Sequence, residues 1–136
     1  MSQAAPIATP APAIPPAPVV YTARLYPIND IASRAGMLTA VITDGHAGRG
    51  TFSLNYLGDP MQGEASRVEP NHPGFGRIHR EALGVPNAQP QGPRGIANAS
   101  GARAVSAQCE YVLSGPSKGT GACVFSDGAR YQLHFG

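Results

Sequence analysis

The alternation of apolar residues across positions 109–135 constrains this chain more than any other feature. In C-E-Y-V-L-S-G-P-S-K-G-T-G-A-C-V-F-S-D-G-A-R-Y-Q-L-H-F they fall on odd numbers: Cys109, Tyr111 and Leu113, then Cys123 and Phe125, then Tyr131, Leu133 and Phe135. A period of two places them on one face of successive short strands. The turn before Tyr131 fixes the register. A two-residue Asp127-Gly128 loop would set Cys123 against Gln132 and Phe125 against Arg130. A three-residue loop, Ser126-Asp127-Gly128 with Gly128 left-handed, sets Phe125 against Ala129, Cys123 against Tyr131 and Gly121 against Leu133. Only the second keeps the apolar residues together, because a one-residue slip reverses every side chain. The preceding turn, around Ser114 to Lys118, then sets Cys109 opposite Cys123. Gly119 and Gly121 fall beside Leu113 and Tyr111, where a missing side chain leaves room for a large neighbour.

This register predicts a Cys109–Cys123 disulfide, a link worth about 3 kcal/mol for a loop of that length. A disulfide implies an oxidising compartment. Two buried thiols in a cytosolic sheet are the alternative. Zinc is disfavoured, since two cysteines without C-x-x-C spacing are too few ligands.

The remaining sequence reads as more of the same construction behind an extended arm. Residues 1–19 are Ala/Pro-rich, and repeated prolines block helix and sheet ladders, so the arm is expected to be a disordered, polyproline-like tether ahead of a single domain over residues 20–136. Strands are expected over 19–26, 37–42, 50–57, 61–68, 76–83 and 102–113, with one helical turn, capped by Asn29 or Asp30, or a loop over 28–35. Thr43-Asp44-Gly45 repeats the later three-residue turn, with Gly45 in the role of Gly128. It would pair Ile42 with His46 and leave Leu38, Ala40, Phe52, Leu54 and Tyr56 on one face. Gly58-Asp59-Pro60 reads as a further turn. Residues 84–101 hold few core-forming side chains and read as a long surface loop, with Arg94 and Asn98 as the polar residues that would meet a partner. The expected fold is all-β, with seven or eight short strands joined by hairpins. A small antiparallel barrel or strongly curved sheet is the economical arrangement, because closure removes exposed edges.

Composition excludes several functions. The net charge is only +2, and nine of the ten basic residues are scattered arginines, so no basic stripe marks a nucleic-acid binder. No run of about 18 apolar residues is present to span a membrane. The start, Met1-Ser2-Gln3-Ala4-Ala5-Pro6, lacks the regions of a signal peptide, so an exported protein would need a signal upstream of Met1.

The motifs carry two resemblances. Gly119 to Phe135, with two glycines leading to an Asp-Gly turn, a tyrosine and a phenylalanine, resembles one MORN-type hairpin unit. Gln108-Cys109-Glu110-Tyr111, the Gly121-x-Cys123 strand and Asp127-Gly128 before Tyr131 together resemble small uncharacterised bacterial envelope lipoproteins, with G-F-G-R-I-H (74–79) similar to their internal glycine-rich strand. That resemblance implies a periplasmic or outer-membrane location. Membrane attachment would come only through a lipid anchor on a cysteine that this sequence lacks, Ser2-Gln3 suiting a mature lipoprotein in which Met1 stands for that cysteine. S-D-G-A-R-Y is also similar to the Ser-Gly-x-x-Tyr loop of small-barrel lysozyme inhibitors.

No catalytic constellation is legible. His46 and His134 read as exposed residues at strand ends. His72 and His79 lie near Glu69 and Glu81 but lack any metal-site spacing, and read as surface histidines. Asp44, Asp59 and Asp127 are committed to turns, and no G-x-S-x-G elbow is present. The expectation is a non-enzymatic structural or accessory protein of the bacterial envelope, without cofactor or metal, that docks on a larger assembly. The alternatives are a periplasmic inhibitor or ligand-binding small barrel, and a cytosolic or virion structural protein.

Overall fold

The computed structural model describes residues 19–45, 48–69, 71–84, 92–115 and 117–136. The expected arm (residues 1–18), His46 and residues 85–91 lie outside them. Eight antiparallel strands close into one barrel in sequence order: β1 (Val19–Pro27), β2 (Leu38–Asp44), β3 (Arg49–Tyr56), β4 (Asp59–Val68), β5 (Arg94–Ser100), β6 (Ser106–Gly115), β7 (Lys118–Phe125) and β8 (Arg130–Phe135). Two short helices join them, α1 (Asp30–Ala35) between β1 and β2 and α2 (Arg77–Leu83) between β4 and β5. Pairing of β1 with β8 completes the ring. An up-and-down ring has two poles. One carries α1, the β3–β4 turn, residues 101–105 and the β7–β8 turn. The other carries the start of β1 and the β6–β7 turn.

The odd-numbered positions of β6 to β8 face inward as their period requires. Cys109 pairs with Cys123, Cys123 with Tyr131, Gly121 with both Tyr111 and Leu133, and Gly119 with Leu113. The three-residue turn forms with Gly128 at φ 96°. The Phe125 amide donates to the Ala129 carbonyl at 2.8 Å. The Cys109–Cys123 disulfide is present, inside the barrel. Phe52, Phe125, Phe135, Tyr131, Leu25, Ile42 and Met61 fill the interior with almost no exposure. Tyr111 lies between glycines on both flanking strands, Gly95 and Gly121, and a Cβ on either would press into it. Its ring meets Phe135 edge-on at 5.4 Å, and Tyr21 meets the same ring at 5.8 Å. Burial pushes the Tyr111 and Tyr131 hydroxyls up to about 12.

Helix α1 plugs one pole. Asn29 caps it, accepting from the Ala32 amide at 3.0 Å, while its Nδ2 donates to the Gly128 carbonyl at 2.8 Å. The Tyr131 hydroxyl rises from the core to the Ala32 carbonyl at 3.1 Å.

Four expectations are corrected. Residues 76–83 form helix α2, not a strand: Ile78, His79 and Ala82 are all buried, and a strand would turn the adjacent residues 78 and 79 to opposite faces. The supposed loop 84–101 contains strand β5, whose inward residues are Gly95, Ala97 and Ala99. Small residues suffice there because Tyr111 fills the space opposite Gly95. The strand expected over 102–113 begins only at Ser106, after a turn at residues 101–105. The Thr43-Asp44-Gly45 turn is wider than expected. Ile42 pairs with Phe52 and Asp44 with Gly50, and the left-handed glycine is Gly48 at φ 73°, not Gly45. Asp44 stays in the strand because Arg67 of β4 holds its carboxylate at 2.7 Å, so the chain turns later. Leu38, Ala40, Phe52, Leu54 and Tyr56 nonetheless share the core.

Candidate functional site

The outer wall of β6 and β7 departs from a simple barrel. Outward-facing positions should be solvated, yet Glu110 and Ala122 are buried. Helix α2 covers them, packing Ile78 and Ala82 on Ala122, with Leu83 and Val124 at the edge. A seven-residue helix is far too short to persist alone, so this cover depends on what holds it.

Glu110 holds it. The helix begins at Gly76, in left-handed conformation and with no side chain to cap the first turn. The Glu110 carboxylate supplies the cap from the barrel wall. It accepts from the Gly76 amide at 3.0 and 3.1 Å, from the His79 amide at 2.7 Å and pairs with His79 Nδ1 at 2.6 Å. His79 is 3 % exposed and Glu110 1 %. Burial alone would raise the Glu110 carboxyl. The His79 side chain and the His79 and Gly76 amides outweigh it and hold the group below the ordinary carboxylate range. The positive end of the short helix faces the same carboxylate. Such a carboxylate, with both oxygens engaged, is a clamp and not a base.

The surroundings are polar and shallow. Between residues 72–78 and the wall of β5–β6 lies a cleft of about 230 Å³ lined by His72, Arg77, Ile96, Asn98 and Gln108, with Glu110 at its floor. A second groove runs from α2 toward the α1 pole, lined by Arg77, Glu81, Ser106, Ser126 and Arg130. Arg77 Nη2 donates to Gln108 Oε1 at 3.1 Å across the gap between helix and wall. Among the described residues no group of three or more His, Cys, Asp and Glu side chains is arranged to hold a metal.

The residues singled out by sequence scatter over this frame. Arg94 begins β5, and its guanidinium lies 5.0 Å over the Phe75 ring, so it helps hold the loop ahead of α2. Asn98 is exposed on the same outer face, lining the cleft. His134 is exposed, as its strand position requires. His79 is corrected from a surface residue to a buried one, because α2 turns its ring onto Glu110. Asp59 is more than a turn residue. It begins β4, is buried, and accepts from the Ala102 and Arg103 amides at 3.2 Å each. Asp127 does belong to its turn, accepting from the Ala129 amide at 3.0 Å, and it also takes the Tyr56 hydroxyl at 2.6 Å. Burial and then that bond push the Tyr56 hydroxyl far up.

Sequence reasoning missed the Glu110–His79 pair because its partners lie on separate elements. One local signal existed. Glu110 occupies an outward position beside Gln108 and Val112, and Ile78, His79 and Ala82 together show helical spacing in a stretch without its own cap. No family model, curated protein or solved structure matches the chain.

Proposed function

We propose that this protein is a non-enzymatic accessory barrel of the bacterial cell envelope that works by docking its outer surface on a larger assembly. The observation that carries the reading is the filled interior. Phe52, Phe125, Tyr131 and Phe135 occupy the lumen together with the disulfide, and Tyr21 and Tyr111 close over Phe135. Barrels that carry ligands inside leave that space open. A partner must therefore meet the outside.

The Cys109–Cys123 disulfide points to an oxidising compartment outside the cytosol. The periplasm or outer membrane is the finer location we favour, because the Gln-Cys-Glu-Tyr and Gly-x-Cys segments resemble those of envelope lipoproteins. The same small barrel suits the inhibitor reading less well. Asp127 and Gly128 of the β7–β8 turn are tied to Tyr56 and Asn29, so that loop is committed to the fold.

The test is the state of the protein in its native compartment. It is expected to sediment well above its 14.0 kDa mass, with both cysteines blocked to alkylation until reductant is added. Free sedimentation as a monomer with reactive thiols would overturn both the docking and the location. One-to-one binding of a small lipophile, with resonance shifts at Tyr21 and Phe135, would make the protein a carrier instead.

A further inference from the structure

Building on the docking function, which leaves the docking surface unassigned, we infer that the α1 pole is that surface. Its partner is a protein presenting an apolar pocket edged by carboxylates, with Leu57 as the anchor.

Apolar exposure is concentrated there. The large exposed hydrophobic side chains among the described residues are Val19, Val20, Val41, Tyr26, Ile28, Ile31, Met37 and Leu57. The last five flank or lie on α1 or the β3–β4 turn, all at one pole. Met37 and Leu57 are the most open of the five, at 56 % and 55 %. The elements that carry them are tied together. The Ile28 amide donates to the Arg130 carbonyl at 3.0 Å, Ile31 Cδ1 lies against Gly128, and Arg103 donates to the Leu57 carbonyl at 3.3 Å. The patch is thus held on a rigid frame, plugged from within by Ala32 and Tyr131.

Leu57 carries an independent signal. Tyr56 pairs with Asp59, so Leu57 and Gly58 are the two central residues of a tight hairpin, at φ 53° and φ 80°. Such a turn calls for Asn, Asp or Gly at its first central position, and a leucine there is strained. More than half of the side chain stays exposed, so burial offsets little of that strain. A strained residue that the fold itself does not use points to a role outside the fold.

Charge chooses the occupant. Arg34, Arg103 and Arg130 are exposed around this pole. Of the acids nearby, Asp59 is buried on two amides, while Asp30 and Asp127 are exposed, so the arginines still outnumber the open carboxylates. The chain's single lysine, Lys118, lies at the opposite pole. Arginine with Met, Tyr and aliphatic anchors is the mix that protein interfaces select, its planar fork matching fixed carboxylates. A second copy would bring the same arginines face to face.

The experiment places a photo-crosslinking amino acid singly at positions 31, 37 and 57 on the pole, and at 98, 120 and 134 on the wall, in the full chain in its native compartment. One protein adduct of constant mass is expected from the pole positions and none from the wall. After identification by mass spectrometry, that protein in purified form should bind the wild-type chain at least ~10-fold more tightly than Leu57→Asn and Arg34→Glu/Arg103→Glu. Leu57→Asn should at the same time raise the folding constant about fivefold, by relieving the strain. Adducts from the wall alone would overturn this surface while keeping the docking function, and no adduct anywhere would overturn both. Binding to phosphatidylglycerol vesicles that Leu57→Asn abolishes would replace the protein partner with a membrane. A Leu57→Asn chain that binds normally overturns the anchor.

Discussion

Replacing Glu110 by alanine tests the central assignment, that one wall carboxylate holds α2 in place. The substitution removes the acceptor for the Gly76 and His79 amides and the partner of the His79 ring. Breaking a buried pair by deleting one member costs about 3–5 kcal/mol, and loss of a helix cap alone about 1 kcal/mol. The closed ring of strands does not need α2 for any of its pairings, so the loss should appear as local opening. Hydrogen exchange followed by mass spectrometry should show the amides of residues 77–84 losing protection by roughly a hundredfold or more, since each 1.4 kcal/mol is about tenfold. Strand amides of β1 to β3 should change little. The wild-type protein should open the same way in acid. The Glu110 carboxyl is held below its ordinary 4.5, so its contribution is complete above that pH and is lost as the pH falls through the lowered folded value. Glu110→Ala should remove this acid step from the α2 amides. Unchanged protection of α2 in the variant, or strand opening in parallel with α2, would refute the clamp.

Three further outcomes are expected. The double variant Cys109→Ala/Cys123→Ala loses a cross-link between residues 14 apart, worth about 3 kcal/mol, so Tm should fall by roughly 10–20 °C; a fall within error would show the link to be thermodynamically idle. Tyr111 and Tyr131 titrate only near 12, above the ordinary 10.0, so the fold is at full strength below pH 10 and weakens as pH rises toward 12. Ultraviolet titration should accordingly show tyrosinate forming together with unfolding, and ionisation of all five tyrosines before any loss of structure would contradict it. Gly95→Ala drives a Cβ into the Tyr111 ring and should cost about 1–3 kcal/mol; Gly95→Ala/Tyr111→Leu should recover much of that, and strict additivity would mean the two do not share the space.

What the sequence reveals depends on how local the determinant is. The β6–β8 register is legible because strand period, turn glycine and facing glycines all lie within one short stretch, and each excludes the slipped alternative. The core face of β2 and β3 is legible for the same reason, although their turn is not. Arg67, from a third strand, decides where Asp44 leaves the ladder. Strand β5 hides because Gly95, Ala97 and Ala99 carry little apolar signal, and the large side chain that completes their layer is Tyr111. Helix α2 hides because its cap comes from Glu110. The buried acid–histidine pair is invisible for that reason too, since neither residue has a local partner. Leu57 stands in plain view in the sequence, but its backbone strain emerges only with the hairpin geometry.

The pairing of β1 with β8 also sets the order in which this molecule can assemble. Strands β6, β7 and β8 pair with near neighbours, so that unit and its cross-link can form without waiting for the rest of the ring. The β1–β8 seam joins the most distant strands of the ring and must await β8, the last of them to be made. Until then one edge of β1, which is already paired with β2 on its other side, and one edge of the growing end stay free, an open ribbon with two adhesive borders. Such a ribbon can be threaded through a narrow conduit or held by an escort, whereas the shut ring cannot. Seam formation would therefore act as a latch, removing both borders in one step.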